Sequence, residues 1–274
     1  MVAPAGKAGI GVEFCVDCLE SAVCAQTAGG IRVELCSGLS TGGLTPSSGL
    51  IKAVRAALRI PLYILIRPRA GDFLYDAKEL LVMREDIVSA AELGADGVVA
   101  GVLTREGEID TAQLSELLFL CRSLGLDFTF HRAFDMVRNQ RQALDALISC
   151  GVPRVLTSGG AHTALQGSTA LAALVRQAQG RISVMAGGGV RPKTAQSLIR
   201  LTGVSEVHSA CSRTVESRMR HRNACVRLGG ADAEADWTWS TLDEASAFSL
   251  AFKCGTLKSR ESLEGAWDCL TFRS

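Results

Sequence analysis

Short runs rich in β-branched residues alternate with helical patterns along almost the whole chain, and this alternation constrains the fold more than any other feature. The predicted strands cover residues 12–16, 31–36, 61–67, 97–103, 128–134, 154–157, 182–186 and 206–210. Between them, apolar residues recur at helical spacing in residues 20–27, 47–58, 77–93, 110–123, 139–150, 169–179 and 192–201. Eight βα units in about 210 residues predict an α/β fold, a single-domain (β/α)8 barrel of the TIM type.

A doubly wound open sheet is the alternative arrangement of the same elements. The count of eight strands argues against it, and so does the lack of a G-x-G-x-x-G turn after the first strand. The missing turn also gives no reason to expect a nucleotide cofactor.

The charge balance excludes several classes of partner. The chain has 29 basic and 28 acidic residues, a net charge of +1, so we expect no nucleic-acid and no membrane partner. The first residues, MVAPAGKAGIG, lack the apolar core of a secretory signal, and no run approaches the roughly 18 residues of a membrane span. Ten cysteines in such a chain favour reduced thiols. We therefore expect a cytoplasmic protein, with the nucleus as a further compartment.

One tetrapeptide pattern occurs twice on neighbouring predicted strands. Val12-Glu13-Phe14-Cys15 is echoed 21 residues later by Val33-Glu34-Leu35-Cys36. Because side chains alternate along a strand, the glutamate and cysteine of each run share one face, and the apolar residues that pack under helices share the other. Neighbouring strands lie about 4.8 Å apart, so two inward thiols at similar heights would converge on one small ion. The register that decides this is not readable from the sequence.

Polar side chains also end the other predicted strands. The candidate catalytic residues at the barrel mouth are Glu13, Glu34, Arg67, His131, Arg132 and His208. Each has a structural alternative: Arg67 pairs with Glu13 or Glu34, Arg132 braces Asp135, and the histidines bond to the backbone. Burial of so many polar groups at one mouth has to be offset by such pairing or by a ligand.

A glycine triplet follows the seventh predicted strand. Gly187, Gly188 and Gly189 precede a helix, where free backbone N–H groups commonly bind anions in barrels of this type. Ser158, in the TSGG stretch after the sixth strand, is the adjoining candidate. These four residues are the predicted anion-binding site, although the triplet alone also suits a tight turn.

Seven motifs, in order and spacing, resemble the CutC copper-homeostasis family: EFCVDCLESAV, RVELCSGLSTGGLTPS, IRPRAGDFLY, FHRAFDM, VLTSGG, MAGGGV and VHSA. Animal-type members are most similar because both Glu-x-Cys motifs are present. The resemblance implies a (β/α)8 barrel, a homodimer or homotetramer, and a role in copper handling through bound cuprous copper. The family's proposed copper ligands fall on Cys15 and Cys36, and soft thiolates suit cuprous copper. Its polar mouth residues fall on the six catalytic candidates named above.

The resemblance fades after residue 226, and all three tryptophans lie beyond that point. The expected division is therefore a flexible N-terminus at residues 1–10, the barrel at 11–226, and a divergent segment at 227–274 that completes the barrel or packs on it. We assign neither Cys254 nor Cys269 in this last segment to a metal site.

Three functions remain open at the level of sequence. The first is a homeostasis protein that binds cuprous copper through Cys15 and Cys36, in copper buffering or trafficking. The second is a barrel enzyme of the lyase, isomerase or hydrolase type that acts on a small anionic or phosphorylated metabolite. The third is a scaffold with a vestigial site.

Overall fold

The structure, a computed structural model, describes residues 9–223, 225–226 and 237–257. Eight parallel strands close into a barrel in sequence order. They are β1 Gly11–Val16, β2 Arg32–Leu35, β3 Leu62–Leu65, β4 Gly97–Ala100, β5 Asp127–Phe130, β6 Arg154–Thr157, β7 Ser183–Ala186 and β8 Glu206–Ser209. The predicted (β/α)8 barrel is confirmed.

Helices surround the barrel. They are α1 Leu19–Thr27, α2 Ser48–Ala57, α3 Ala77–Glu92, α4 Thr111–Ser123, α5 Gln140–Cys150, α6 Ser168–Ala178, α7 Pro192–Thr202 and α8 Glu244–Cys254. The chain marks their ends with ordinary signals: Ser47 accepts the Leu50 N–H at the start of α2, and Gly151 adopts a left-handed conformation after α5. Among the described residues, every helix is too short or too polar to span a bilayer.

The third, fourth and fifth strands end two to four residues earlier than the sequence predicts. The apolar run of the sequence continues past the end of each strand, but the chain has already turned into a loop. After β5, residues Arg132–Met136 form a 3-10 helix, and the His131 ring accepts the Ala133 N–H at its start. A second 3-10 turn, Leu39–Thr41, follows β2. These turns carry several polar candidates out of the strands and into the loops at the barrel mouth.

The apolar faces of β1 and β2 point outward, as predicted. Val12, Phe14, Val33 and Leu35 are fully buried beneath the helices. Their neighbours in sequence therefore face the barrel interior, where a period of two places them.

Charged side chains fill the lower part of that interior. Arg32 forms ion pairs with Glu13 and Glu206, and Arg154 pairs with Glu206 at 3.0 Å and with Asp127 at 3.3 Å. Each of these charges has a partner, which is what a buried charge requires. The linked side chains form a floor beneath the mouth of the barrel.

The C-terminal part of the described chain lies against the start of the barrel. β9 Ser212–Glu216 and β10 Thr238–Leu242 form an antiparallel pair, and α8 follows and packs on α7 and β1. The Ile10 N–H donates to the Cys254 carbonyl at 2.8 Å. Of the segment predicted as a flexible N-terminus, Gly9 and Ile10 are described, and residues 1–8 lie outside the described part.

Candidate functional site

A cavity of about 230 Å³ lies at the carboxyl ends of the strands. Eight of the predicted site residues line it: Cys15, Glu34, Arg67, His131, Arg132, Gly188, Gly189 and His208. The parallel barrel brings these residues together from loops and strands far apart in sequence. The other predicted residues lie behind this lining.

Two thiols meet at one side of the cavity. Cys15 Sγ lies 3.7 Å from Cys36 Sγ, and Cys36 is fully buried behind Cys15. The register pairs Cys15 with Glu34 on β2, so Cys36 lies two residues further along the chain, just past the end of β2. The tilt of the strands in a closed barrel produces this offset, and the side chains still converge.

Glu34 lies directly beside the thiols. The Cys15 thiol donates to Glu34 Oε1 at 3.5 Å, whereas Glu34 Oε2 is buried without a hydrogen-bond partner among the described residues. Burial raises the pKa of Glu34, and the Glu13 carboxylate adds to this rise. The hydrogen bond with Cys36, burial and the Glu34 charge raise the pKa of Cys15 well above its ordinary value. The Cys15 thiol therefore favours its protonated form.

His208 faces the same thiols from β8. Its Nδ1 lies 2.7 Å from Glu13 Oε1, and Glu13 also pairs with Arg32. Burial alone would lower the pKa of His208, but the Glu34 and Glu13 carboxylates raise it. Burial alone would raise the pKa of Glu13, but Arg32 and His208 lower it to about 2. Glu13 is thus a buried anion that orients the ring of His208.

Three side chains, one each from β1, β2 and β8, form a cluster with the spacing of metal ligands. One ligand atom from each of Cys15, Glu34 and His208 lies within 4.8 Å of the other two. The contact of Glu13 with Nδ1 leaves Nε2 as the other nitrogen of His208, an arrangement that commonly orients a metal-binding histidine.

Arg67 pairs with neither Glu13 nor Glu34, so that sequence-based alternative is wrong. Its guanidinium donates to the carbonyls of Thr41, Gly43 and Gly71, each at 2.9 Å. The reason is local: the loop after β2 and the loop after β3 both turn their carbonyls toward it. Arg67 therefore joins two loops that border the cavity.

His131 lies on the same side of the cavity as Arg67. Both are close to the Phe73 ring, whose centroid lies 4.9 Å from the His131 ring centroid and 5.0 Å from Arg67 Cζ. Burial and the Arg67 charge lower the pKa of His131 to about 3, so the ring is neutral. Because Nδ1 accepts the Ala133 N–H, the proton is on Nε2, which has no hydrogen-bond partner among the described residues.

Arg132 does brace Asp135. The Arg132 Nε donates to Asp135 at 2.8 Å, and Asp135 also accepts the N–H groups of Ser158 and Gly160 and the Thr157 hydroxyl. Ser158 therefore lies on Asp135, with its hydroxyl also hydrogen bonded there. Its donors are engaged away from the cavity.

The three glycines of the predicted anion site differ in their hydrogen bonding and in their position relative to the cavity. The Gly187 N–H donates to the Thr157 carbonyl at 3.0 Å. Gly188 and Gly189 line the cavity, and their N–H groups have no hydrogen-bond partner in the described part of the chain. These two glycines are the members of the predicted anion site that face the cavity.

Arg32 is the main residue that sequence reasoning missed. It stands two positions before Glu34, so strand alternation already places it on the inward face. Reading β2 back from Glu34 would have found it. The carbonyls that hold Arg67 belong to loops, and no sequence pattern marks them.

Comparisons with known proteins identify relatives of this chain. The sequence model of the CutC family matches residues 10–213. The chain is 44% identical over 244 residues to the copper homeostasis protein cutC homolog of Homo sapiens, covering 88% of this chain and 89% of the relative. It is 45% identical over 242 residues to the Mus musculus homolog, with 87% and 88% covered. The crystal structure of CutC from Streptococcus agalactiae superposes with a TM-score of 0.70 at 38% identity, covering 73% of this chain and 98% of that one.

Proposed function

The chain belongs to the CutC family of copper homeostasis, and from that premise we propose that it binds cuprous copper through Cys15 and Cys36, in copper buffering or trafficking. The observation that carries the proposal is the 3.7 Å separation of the two sulfurs at the barrel mouth. With metal–thiolate bonds of roughly 2.3 Å, one ion can contact two sulfurs up to about 4.6 Å apart. Thiolates are the ligands that cuprous copper prefers.

His208 is the third donor in this proposal. Its ligand atom falls within 4.8 Å of those of Cys15 and Glu34, and Glu13 holds the ring from behind. A histidine held by a carboxylate in this way keeps its second nitrogen directed at the ion. Glu34 is not a ligand in this proposal. Burial raises its pKa, and in the metal-free protein it accepts a hydrogen bond from the Cys15 thiol.

The test is an anaerobic titration of the reduced protein with cuprous copper against a competing chelator. We expect the wild type to bind one ion per chain tightly, and the Cys15→Ser/Cys36→Ser double variant to lose this binding. Cys150→Ser is the matched control, because Cys150 is a half-buried thiol at the end of α5, away from the cavity. Unchanged affinity in the double variant would contradict the site assignment.

A barrel enzyme acting on a small anionic or phosphorylated metabolite is the second candidate. The observation that favours it is the pair of free N–H groups of Gly188 and Gly189 in the same cavity as a neutral histidine, His131, and a carboxyl group with a raised pKa, Glu34. Groups of this kind exchange protons in general acid–base catalysis. A screen of phosphorylated metabolites for turnover, followed by nuclear magnetic resonance, tests it. Turnover that survives His131→Phe and Glu34→Gln would remove these two residues from the mechanism.

A further inference from the structure

The cavity has further buried polar side chains besides the proposed copper ligands. Arg67 and His131 form one polar wall, and both contact the ring of Phe73. Both side chains are more than nine-tenths buried and both line the cavity. Their positions near one ring bring a guanidinium and an imidazole N–H to the same part of the pocket.

The charge of Arg67 is not neutralised by the protein. Its hydrogen bonds go to three backbone carbonyls, and no described carboxylate forms an ion pair with it. Glu13 is engaged with Arg32 and His208, and Asp135 with Arg132. Glu34 also lines the cavity but forms no ion pair with Arg67 among the described residues. Buried charges normally have a partner of opposite sign, and here the wall lacks one.

His131 adds a donor with nothing to donate to. Its Nδ1 is fixed as an acceptor by the Ala133 N–H at 3.2 Å, which leaves the hydrogen on Nε2. That atom is buried without a hydrogen-bond partner among the described residues. An unsatisfied buried donor in a native structure calls for an explanation such as a ligand.

The cavity limits the size of whatever meets these groups. Its volume of about 230 Å³ lies below the roughly 300–1,000 Å³ of sites for drug-sized molecules. A compact ligand with a few carbon atoms fits this volume.

We propose that this wall binds the oxyanion group of a small organic acid or phosphate monoester, with Arg67 supplying the charge and His131 Nε2 a hydrogen bond. The inference goes beyond copper binding and does not depend on it, because neither residue is among the proposed copper ligands. A carboxylate and a phosphate would make the same kind of contact with Arg67 and His131. The experiment therefore tests the two classes of anion separately.

The experiment uses the reduced full-length protein without metal, with inorganic phosphate and malonate as separate probes. Binding is measured by calorimetry and by the ¹⁵N resonance of His131 Nε2. We expect at least one probe to bind saturably at millimolar concentrations and to shift that resonance. Arg67→Gln should weaken binding by about tenfold or more, as the loss of a charge-assisted hydrogen bond predicts. Binding of one probe only would name the class of anion.

The matched control is Arg69→Gln, because Arg69 lies on the same loop and stacks on Tyr75 but is paired with Glu79 outside the cavity. His131→Phe, which keeps an aromatic ring but removes the Nε2 donor, should also weaken binding, so the test stands even if Arg67→Gln fails to fold. The proposal is overturned if the wild type binds neither probe. It is equally overturned if folded Arg67→Gln and His131→Phe bind as the wild type does.

Discussion

The thiol site combines a soft ligand with a proton that is hard to remove. The hydrogen bond with Cys36, burial and Glu34 raise the pKa of Cys15, so the thiol keeps its proton at neutral pH. A metal binds the thiolate and must displace this proton. We therefore expect cuprous copper affinity to rise with pH, by about tenfold per pH unit for each proton released.

Chelator competition across the neutral range measures this dependence. Cys15→Ser should make it shallower, because the serine hydroxyl does not release a proton to the metal in this range and the proton of the Cys36 thiol still has to be displaced. An affinity of the wild type that is independent of pH would contradict the role of the Cys15 thiolate.

Glu13 is the residue whose loss should cost the most stability. It is fully buried between Arg32 and His208, and removing one partner of a buried ion pair costs about 3–5 kcal/mol. We expect Glu13→Gln to lower the free energy of unfolding by about this amount in urea at neutral pH. The control Glu108→Gln breaks the exposed pair with Arg138 and should cost less than about 1 kcal/mol.

The lowered pKa of Glu13 predicts that its contribution to stability depends on pH in the acid range. Its pKa falls from an ordinary 4.5 to about 2 in the folded protein, so its contribution is complete above pH 4.5 and is lost as the pH falls toward 2. The stability difference between wild type and Glu13→Gln should therefore narrow over that interval. A difference that stays constant through it would show that the charge of Glu13 is not the cause.

At the scale of elements, the loop after β2 determines how closely the thiols are covered. Gly43 has a φ of +89°, and a Cβ built there lies 2.7 Å from a Leu65 methyl group and 3.5 Å from Cys36 Cβ. Gly43→Ala combines backbone strain with this clash, so we expect a loss of about 1–3 kcal/mol in unfolding free energy.

Gly125→Ala is the control that separates backbone strain from the steric clash. Gly125 has a φ of +72°, and a Cβ there meets nothing within 4 Å, so it carries the strain alone. We expect Gly43→Ala to be the more damaging change and the only one of the two that weakens copper binding. Equal effects on both measurements would contradict the role assigned to this loop.

The strand faces were predictable, and their registers were not. Alternation alone assigns Val12 and Phe14 to the outer face and Glu13 and Cys15 to the interior, because the period of a strand is two. The pairing of Cys15 with Glu34 depends on the stagger of the closed barrel, which no single strand encodes. The partners of Arg67 were unpredictable for a related reason, since backbone carbonyls of two loops hold it.

At the scale of the whole molecule, α8 packs against the barrel near its first strand. Leu250 is fully buried there, whereas Phe252, two residues on, is 59% exposed. Leu250→Ala should lower the unfolding free energy by about 2–5 kcal/mol. Phe252→Ala should change it by about 0.5 kcal/mol or less, as for most surface positions. Denaturant unfolding of both variants decides whether α8 is part of the cooperative unit, and equal small effects would exclude it.

The assembly of several copies stays a prediction from the family resemblance. We expect the purified chain to run as a homodimer or homotetramer in size-exclusion chromatography with light scattering. A monomer at micromolar concentration, with copper binding intact, would contradict the oligomer and leave the thiol site unaffected.

The charged floor limits the paths by which an ion could enter and leave the barrel. Because Arg32, Glu206 and Arg154 are linked across the barrel interior beneath the cavity, the described barrel is a cup with a closed bottom rather than a conduit. An ion bound in the proposed site would leave by the opening through which it entered. In the proposed trafficking role, a recipient would have to approach this same rim and take the ion by ligand exchange, so loading and unloading would not occur at opposite faces of the protein.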